Sequence, residues 1–285
     1  MITPMIELLR AAKEGGYAVP APNIFSLCNM ETIFEVAHEL KTPLIMGVPG
    51  SRDLEAVGYL GKFYEKRYPD AKIAINLDHG GPFEQIITAI HAGFSSVMID
   101  RSSEDFETNI RESAEIVKIA HAVGITVEAE LGHVGKADED TDDERMANLT
   151  NKDQAQEFVD RTGVDCLAVA VGTSHGAYKN FNPYIDFQLL GELSELLTIP
   201  LVLHGGSGTG DENLSKAVKA GIQKVNIATD LNYAGTDGMT AWLEANKPGL
   251  SKKRSDIPGA EKAMKAAYKE MLIHYVGVFG SEGKA

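Results

Sequence analysis

The chain has 285 residues, of which 44% are hydrophobic and 24% charged, and its formal net charge is −14. This acidic balance argues against a protein that binds nucleic acid or an anionic membrane, because both classes usually present a basic face. Neither a membrane span of ~18 apolar residues nor a signal peptide is recognisable, and Cys28 and Cys166 lack CxxC spacing and cannot form a disulfide framework. We therefore expect a cytoplasmic protein with a sizeable core.

Short β-rich segments alternate with amphipathic helices along most of the chain. The predicted strands cover residues 17–24, 43–48, 72–77, 96–99, 126–131, 165–171, 200–203 and 224–228. Most are continuously apolar, which is typical of strands buried on both faces of a parallel sheet. The predicted helices cover residues 30–40, 82–92, 104–122, 153–161, 186–197 and 213–220, with N-caps at Asp186 and Asp211 and C-caps near Gly93, Gly124, Gly163 and Gly221.

This alternation predicts a single (β/α)8 barrel domain over residues 1–285. An open doubly wound sheet is the alternative, but it would concentrate polar residues near one switch point, and here they follow many strands. The first strand also lacks a following GxGxxG motif. Residues 231–285 exceed what a barrel needs, so they predict a C-terminal helical extension that packs on a neighbouring subunit.

Chemically active residues stand at the ends of three predicted strands. Asp78 and His79 end the third strand, His175 follows the sixth and His204 ends the seventh. A lone histidine after a strand is usually an ordinary loop residue, but on parallel strands of one barrel all three would converge at the carboxyl mouth. Three histidines with an open fourth position suit a catalytic Zn²⁺ ion.

The fifth strand carries two carboxylates, Glu128 and Glu130. They lie two residues apart and therefore point to the same side of the strand. Near the mouth they would coordinate or steer a metal, and the alternative for Glu128 is an internal ion pair. Which side of the strand they occupy is left open by the sequence.

Glycine-rich turns follow the seventh strand at Gly205–Gly208, and residues 226–230 lead from the eighth strand into a helix. Barrels often bind phosphate at these two loops, through backbone N–H groups and a helix N-terminus. Together with the histidines, this pattern predicts a metal enzyme that acts on a phosphorylated substrate.

At these motifs the chain resembles the class II, zinc-dependent ketose-bisphosphate aldolases, above all the fructose- and tagatose-1,6-bisphosphate members. The resemblance runs from the first helix to Phe279-Gly280-Ser281 and includes, in order, PAPNI, LDHG, MID, VEAELG, GVDCLAVAVGTSHG, PLVLHGGSG and KVNIATD. It implies reversible retro-aldol cleavage of a ketose 1,6-bisphosphate to dihydroxyacetone phosphate and an aldehyde. Zn²⁺ would be the Lewis acid that stabilises the enediolate, and Asp78 would act as the base on the C4 hydroxyl.

The resemblance also implies roles for further residues. His79, His175 and His204 match the zinc ligands, Glu130 matches a carboxylate near the metal, and Asp100 matches one that supports the site. The positions that match the binding site of the ketone-side phosphate are Gly176, Gly205, Ser207, Asn226 and Thr229. Arg254 matches an arginine on the distal phosphate, often from a partner subunit. The resemblance implies two cofactors, one Zn²⁺ per subunit and a monovalent cation (Na⁺ or K⁺) near Gly176 and Gly205. It also implies a homodimer or a homotetramer.

Three positions depart from the family pattern. Lys136 replaces a glycine in the loop after Glu130, so the acid that protonates C3 is best matched by Asp138, with Glu139 second. Arg101 replaces a small residue, and it would either bind an anionic group or pair with Asp100 or Glu104. Ala228 replaces the usual Asp or Asn and favours a tagatose-like or broader substrate, including a ketose 1-phosphate with another anion, such as a sulfonate, at C6.

Three other functions compete with the aldolase. One is a metal-dependent phosphosugar isomerase or epimerase, and another is a non-catalytic sugar-phosphate sensor. The third is a lysine Schiff-base enzyme, which is disfavoured because the predicted strands offer only Lys72 and Lys224, near their starts.

Overall fold

The computed structural model describes residues 2–139, 141–178, 182–250 and 256–285. Its eight parallel strands, β1 to β8, are Val19–Pro22, Leu44–Pro49, Ile73–Gly80, Ser96–Ile99, Thr126–Leu131, Cys166–Val169, Leu201–Leu203 and Ile222–Ile227. The helices, α1 to α11, are Met5–Gly15, Leu27–Glu39, Leu54–Arg67, Phe83–Ala92, Phe106–His121, Asp142–Ala147, Lys152–Thr162, Phe187–Leu196, Asp211–Lys219, Thr229–Leu250 and Ile257–Phe279.

The strands form a nearly closed (β/α)8 barrel. Their hydrogen-bonded order is β1-β8-β7-β6-β5-β4-β3-β2, and β1 meets β2 through a bridge between Asn23 and Gly47. The Ile24 N–H donates to the Gly47 carbonyl at 3.0 Å across this seam. The predicted barrel is confirmed, and the open-sheet alternative is wrong.

Several local predictions need correction. The sequence reading did not identify α3, whose glycines Gly58 and Gly61 obscure its apolar stripe. Gly58 is required by packing, because a Cβ there would lie 2.1 Å from the Ala92 carbonyl of α4. Asp186 does cap α8, but the N-cap of α9 is Gly210, and Asp211 is the first helical residue. The sequence analysis also did not predict α6, which begins at Asp142 because Thr141 and Glu144 form a capping box.

Alternation along each strand divides the core in two. Outward residues such as Ile75, Val127 and Leu203 pack beneath the helices. Inward residues near the strand starts, such as Val19, Ala168 and Val202, form a separate apolar cluster with α1. Helix α1 therefore covers the amino end of the barrel, where the Ile6 N–H donates to Thr126 Oγ1 at 3.1 Å.

Helices α10 and α11 form the predicted C-terminal extension and pack on each other. Tyr268 of α11 is buried and donates to the Asn23 carbonyl at 3.0 Å, which ties the extension to the mouth of the barrel. Beyond α11, Ser281 accepts a hydrogen bond from Thr42 Oγ1 at 2.8 Å. Within the described residues, none of the helices has the length and apolar character that crossing a membrane requires.

Candidate functional site

Three histidine rings meet at the carboxyl mouth of the barrel. The ring centroids of His79, His175 and His204 lie 4.6–5.6 Å apart. His79 Nε2, His175 Nε2 and His204 Nδ1 are buried and have no hydrogen-bond partner in the part of the chain that the structure describes. The three rings offer ligand atoms within 4.8 Å of one another. Buried nitrogens of this kind are costly unless something binds them, and the set fits a Zn²⁺ ion.

A backbone irregularity brings His79 beside Asp78. Successive residues of a strand normally face opposite sides. The register between β3 and β4 shifts between Leu77 and Gly80, and His79 has a φ of 51°, in the left-handed region that non-glycine residues rarely adopt. Both side chains therefore line the same cavity.

Two of the three histidine rings form hydrogen bonds with carboxylates. His79 Nδ1 lies 2.7 Å from Asp100 Oδ2, and His204 Nε2 lies 2.9 Å from Glu128 Oε1. Such partners fix the tautomer and the orientation of a metal-binding histidine. Glu128 also accepts a hydrogen bond from Lys224 Nζ at 2.6 Å, and both side chains are fully enclosed in the barrel. The internal ion pair predicted as the alternative for Glu128 is thus present, and its partner is Lys224.

Asp100 and Glu130 differ in whether they keep a free carboxylate oxygen. Both oxygens of Asp100 are occupied, by His79 and by the backbone and hydroxyl of Ser102, so Asp100 supports the site through His79. Glu130 accepts the Val134 N–H with Oε1, while its buried Oε2 has no hydrogen-bond partner among the described residues and lies 3.3 Å from His204 Nδ1. His79, Asp100 and Glu130 also offer ligand atoms within 4.8 Å of one another, as a second set.

Burial and the neighbouring charges shift the pKa values of these groups in opposite directions. Burial disfavours a charged His79, but the hydrogen bond to Asp100 and the charges of Asp78 and Glu130 outweigh it and raise the pKa of His79 to about 10. Burial and the neighbouring rings of His79 and His204 lower the pKa of His175 to about 3. Burial raises the pKa of Glu130 above its ordinary value.

Asp78 is a buried carboxylate with two amide donors. Asn23 Nδ2 donates to Asp78 Oδ2 at 2.8 Å, and Asn226 Nδ2 donates to Oδ1 at 2.9 Å. Burial alone would raise the pKa of Asp78, but the charges of His79, Lys224 and His204 and the Asn23 amide keep the pKa well below its usual range. Asp78 is thus held as an ionised proton acceptor at the edge of the cavity.

A cavity of about 340 Å³ opens beside Asp78 and the histidines. The predicted phosphate-binding positions Gly176, Gly205, Ser207, Asn226 and Thr229 all line it, together with Ala228. A Cβ on Gly205 would lie 2.4 Å from the Ser174 carbonyl, so only glycine allows this turn. Helix α10 begins at Thr229 and presents its N-terminal N–H groups here, where they favour an anion. Asn226 also holds Asp78, because its amide nitrogen donates to the Asp78 carboxylate.

A second cavity of about 520 Å³ shares His79, His175 and Gly176 with the first and is lined by Asp138. The loop that carries Asp138 pairs with the His175 loop, since the Ala137 N–H donates to the His175 carbonyl at 2.8 Å. Asp138 Oδ1 lies 3.9 Å from where a Cβ would stand on Gly176. Glu139 instead pairs with Lys136 at 2.9 Å. The structure therefore brings Asp138 to the site, and Lys136 is engaged beside it.

Arg101 is neither a free anion-binding group nor the partner of Glu104. It pairs with Glu112 of α5, with Nε 2.5 Å from Oε2, and it donates to the backbone carbonyls of Asp100 and Gly81. Both predicted pairings of its side chain, with the Asp100 carboxylate and with Glu104, are wrong. Arg254 lies outside the described residues.

The sequence reading missed the roles of Asn23, Ser51 and Lys224. Asn23 and Ser51 line the cavity, and Asn23 holds Asp78. Asn23 directly follows β1, just as the predicted site residues stand at the ends of other strands. Its position in the sequence could therefore have identified it. Lys224 was placed at a strand start, but β8 begins at Ile222 and Lys224 points into the barrel.

Comparisons with known proteins agree with this site. The sequence profile of the family described as fructose-bisphosphate aldolase class-II matches residues 3–284. A fructose-bisphosphate aldolase of Thermus caldophilus is 38% identical over the whole of both chains, and a probable fructose-bisphosphate aldolase of Bacillus subtilis (strain 168) is 38% identical over 100% of this chain and 99% of its own.

A solved structure supports the same assignment. The crystal structure of the YdjI aldolase from Escherichia coli K12 is 30% identical and aligns with a TM-score of 0.84 over the full length of both chains. The family profile, the relatives and this fold agree over essentially the whole sequence. The chain belongs to the class II fructose-bisphosphate aldolase family, whose members are lyases.

Proposed function

We propose that this protein is a zinc-dependent aldolase that reversibly cleaves a ketose 1,6-bisphosphate to dihydroxyacetone phosphate and an aldehyde. One observation carries the proposal: three buried imidazole nitrogens, which have no hydrogen-bond partner among the described residues, converge beside an ionised, buried carboxylate in a cavity with glycine turns. This arrangement combines a metal site, a base and a phosphate site within one enclosed space.

His79, His175 and His204 would hold the metal, with the free oxygen of Glu130 beside them. A bound Zn²⁺ would act as a Lewis acid on the ketone oxygen of the substrate and stabilise the negative charge that develops there. The hydrogen bonds from Asp100 and Glu128 would keep the His79 and His204 rings aimed at the same point, without reorganisation during the reaction.

Asp78 would take the proton of the C4 hydroxyl when the C3–C4 bond breaks. The electron pair of that bond passes to the ketone half, and C4 becomes the aldehyde carbon. Asn23 and Asn226 fix both oxygens of Asp78, so its lone pairs face a defined direction. Asp138, beside the second cavity, would then protonate C3 and complete dihydroxyacetone phosphate.

The ketone-side phosphate would bind where the glycine turns meet the N-terminus of α10. Gly205, Gly176 and Ser207 line this part of the cavity. Ser207 Oγ is already fixed there, because it accepts the Asp230 N–H at 3.2 Å. Backbone N–H groups of this kind bind phosphate without a large cluster of basic side chains, which agrees with the acidic composition of the chain.

Two observations bear on the distal half of the substrate. The Thermus caldophilus and Bacillus subtilis relatives are named as fructose-bisphosphate aldolases, which supports a C6 phosphate. Ala228 in the cavity favours a tagatose-type sugar or a ketose 1-phosphate with a different C6 anion. We also propose that the enzyme is a cytoplasmic homodimer or homotetramer in which Arg254 reaches the distal anion.

A cleavage assay would test the proposal. Fructose 1,6-bisphosphate, tagatose 1,6-bisphosphate and a sulfonated ketose 1-phosphate would be offered to the same preparation, with the released triose phosphate trapped enzymatically. We expect cleavage of at least one sugar, loss of activity after dialysis against a chelator, and recovery with Zn²⁺. A rearranged sugar without a triose would indicate an isomerase or epimerase, and tight binding without turnover would indicate a sensor.

The same preparation separates this mechanism from a Schiff-base aldolase. Lys224 is the lysine that β8 directs into the barrel, and its ammonium group is paired with Glu128. A paired ammonium is not a nucleophile, so we expect borohydride to trap no substrate on the protein. Covalent trapping together with full activity in the chelated enzyme would refute the metal-dependent mechanism.

A further inference from the structure

Arg101 makes an unusual set of contacts at the mouth of the barrel. It follows Asp100 directly after β4, and its side chain is only 20% exposed. Its Nε donates to Glu112 Oε2 at 2.5 Å, Nη1 to the Asp100 carbonyl at 2.8 Å and Nη2 to the Gly81 carbonyl at 2.6 Å. A planar guanidinium thus binds one carboxylate and two backbone turns at once.

The two turns are those that carry His79 and its carboxylate partner. Gly81 lies two residues after His79, and Asp100 holds His79 Nδ1 at 2.7 Å. The backbone joins the same turns through one hydrogen bond, from the Asp100 N–H to the Gly80 carbonyl at 3.1 Å. Arg101 adds a second, side-chain connection immediately beside it.

His79 needs such support because of its backbone. A φ of 51° is unfavourable for a residue with a Cβ, and it persists only where the surroundings impose it. Without Arg101, the Gly80–Gly81 turn would lose its side-chain link to β4 and α5. His79 could then relax towards the ordinary strand conformation, in which its ring no longer faces His175 and His204.

The connection extends to the wall of the substrate cavity. Gln85 of α4 accepts the Gly81 N–H with Oε1 at 3.2 Å and donates with Nε2 to the Gly50 carbonyl at 3.1 Å. Gly50 lines the cavity beside Asp78. A continuous chain of hydrogen bonds therefore connects the turns after β2, β3 and β4. It runs through Arg101, Gly81, Gln85 and Gly50.

We propose that Arg101 is a positioning residue that locks the turn bearing His79 and thereby sets the metal affinity of the site. This inference rests on the proposed metal-dependent function. Arg101 does not touch the substrate or the metal in this role. Its effect passes through the backbone of Gly81 and Asp100 to the ring of His79.

The test is the Zn²⁺ dissociation constant of purified variants, measured by competition with a chromophoric chelator. Arg101→Ala should weaken Zn²⁺ binding by about 10- to 100-fold, the range typical of lost partners of metal ligands. The absorption spectrum of the Co²⁺-loaded protein should change as well, because that spectrum reports the ligand geometry. Arg101→Lys should recover part of the affinity, since lysine keeps the charge but cannot bind both carbonyls and Glu112.

Arg111→Ala is the matched control. Arg111 donates to the other oxygen of Glu112 at 3.2 Å, and its side chain is 65% exposed. Among the described residues its hydrogen bonds go to Glu112 and Thr108, and not to the Gly81 or Asp100 backbone. Zn²⁺ affinity and the Co²⁺ spectrum should both remain at the wild-type level. Equal weakening in Arg111→Ala and Arg101→Ala would overturn the proposal, because a general effect of charge would then explain both.

Wild-type Zn²⁺ affinity and an unchanged Co²⁺ spectrum in Arg101→Ala would also overturn it, even if the melting temperature fell. If Arg101→Ala fails to fold, Arg101→Lys and Glu112→Gln replace it. Both should bind Zn²⁺ more weakly than wild type, and wild-type affinity in both would refute the role. A wild-type protein that neither binds Zn²⁺ nor cleaves a ketose phosphate would instead refute the proposed function.

Discussion

The two halves of the barrel interior are built from different chemistry. On β3 the inward residues are Ala74, Asn76 and Asp78 in order towards the mouth, and on β7 Val202 is followed two residues later by His204. The amino half is an apolar cluster closed by α1. The carboxyl half holds buried carboxylates, imidazoles and an ammonium group. The same strands therefore stabilise the fold at one end and present reactive groups at the other.

The pair between Lys224 and Glu128 lies within the polar half. A buried charge is expensive unless it is paired and hydrogen-bonded, and Glu128 is bonded to both Lys224 and His204. Burial raises the pKa of Glu128, but these two partners outweigh it and hold the pKa below its usual value. Because Glu128 is bonded to His204 as well as to Lys224, this pair connects one histidine of the site to β5 and β8. We therefore expect substitutions at the mouth to lower turnover. Substitutions of Lys224 or Glu128 should lower both turnover and stability. Substitutions in the apolar half should lower stability alone.

Asp78→Asn should have the largest effect, a decrease in kcat of about 10²- to 10⁴-fold, because a general base is lost. Zinc content should stay near one ion per chain, and kcat should be measured at a temperature where the variant is folded. Asp105→Asn, which alters an exposed carboxylate that caps α5, is the control. Equal losses of zinc and turnover in Asp78→Asn would make Asp78 a metal ligand instead of the base.

The buried pair should give the next largest effect. Glu128→Gln or Lys224→Met alone should lower the free energy of unfolding by about 3–5 kcal/mol, since each leaves an uncompensated buried charge. The double variant should lose less than the sum of the two, as urea unfolding would show. Strict additivity would mean that the two side chains do not act as a pair.

Val202→Ala probes the apolar half two residues before His204. Deleting two buried methyl groups should lower the free energy of unfolding by about 2 kcal/mol. Turnover at a temperature where the variant is folded should match the wild type. A large loss of kcat without loss of stability would contradict the claim that the apolar half contributes to stability and not to turnover.

A surface pair should give the smallest effect. Hydrogen bonds from Lys41 and then His38 lower the pKa of Asp70 from 3.8 to about 2, although its side chain is 46% exposed. The folded-state pKa is depressed, so the stabilisation is present above the unfolded pKa and disappears as pH falls through about 2. Asp70→Asn should slightly lower the melting temperature near pH 6, and the difference should shrink towards about pH 3. Asp237→Asn on α10 is the control.

The barrel and most site residues could be predicted because they follow repeating patterns. Apolar runs separated by helices specify parallel strands, and His175, His204 and Asp78 stand at strand ends that meet at one mouth. Helix α3 was missed because Gly58 and Gly61 interrupt its periodicity. Gly58 is explained only by the close approach of α4, and Gly61 by the close approach of Ile75 on β3. Its N-cap, Asp53, which accepts the Ala56 N–H, was a usable signal.

Other features depend on contacts that no local pattern encodes. Period-two alternation shows that Glu128 and Glu130 share a side, but not that the side faces inward. The left-handed φ of His79 arises from a register shift against β4, which the sequence of β3 alone does not reveal. Arg101 was expected to use Asp100 or Glu104 because they are close in sequence, whereas its partner Glu112 is brought to it by α5.

Helix α1 also has a consequence for how the chain folds during synthesis. Its apolar residues Met5, Leu9 and Ala12 share a cluster with residues of β1 and β3, which follow soon in the chain. The same cluster includes Val202 of β7, and α1 also contacts β8. The ribosome makes these strands roughly two hundred residues after α1 emerges. The apolar side of α1 can therefore contact β1 and β3 early, but its cluster is complete only after β7 and β8 have been made. Complete docking of the first helix is thus expected to be among the last steps of folding.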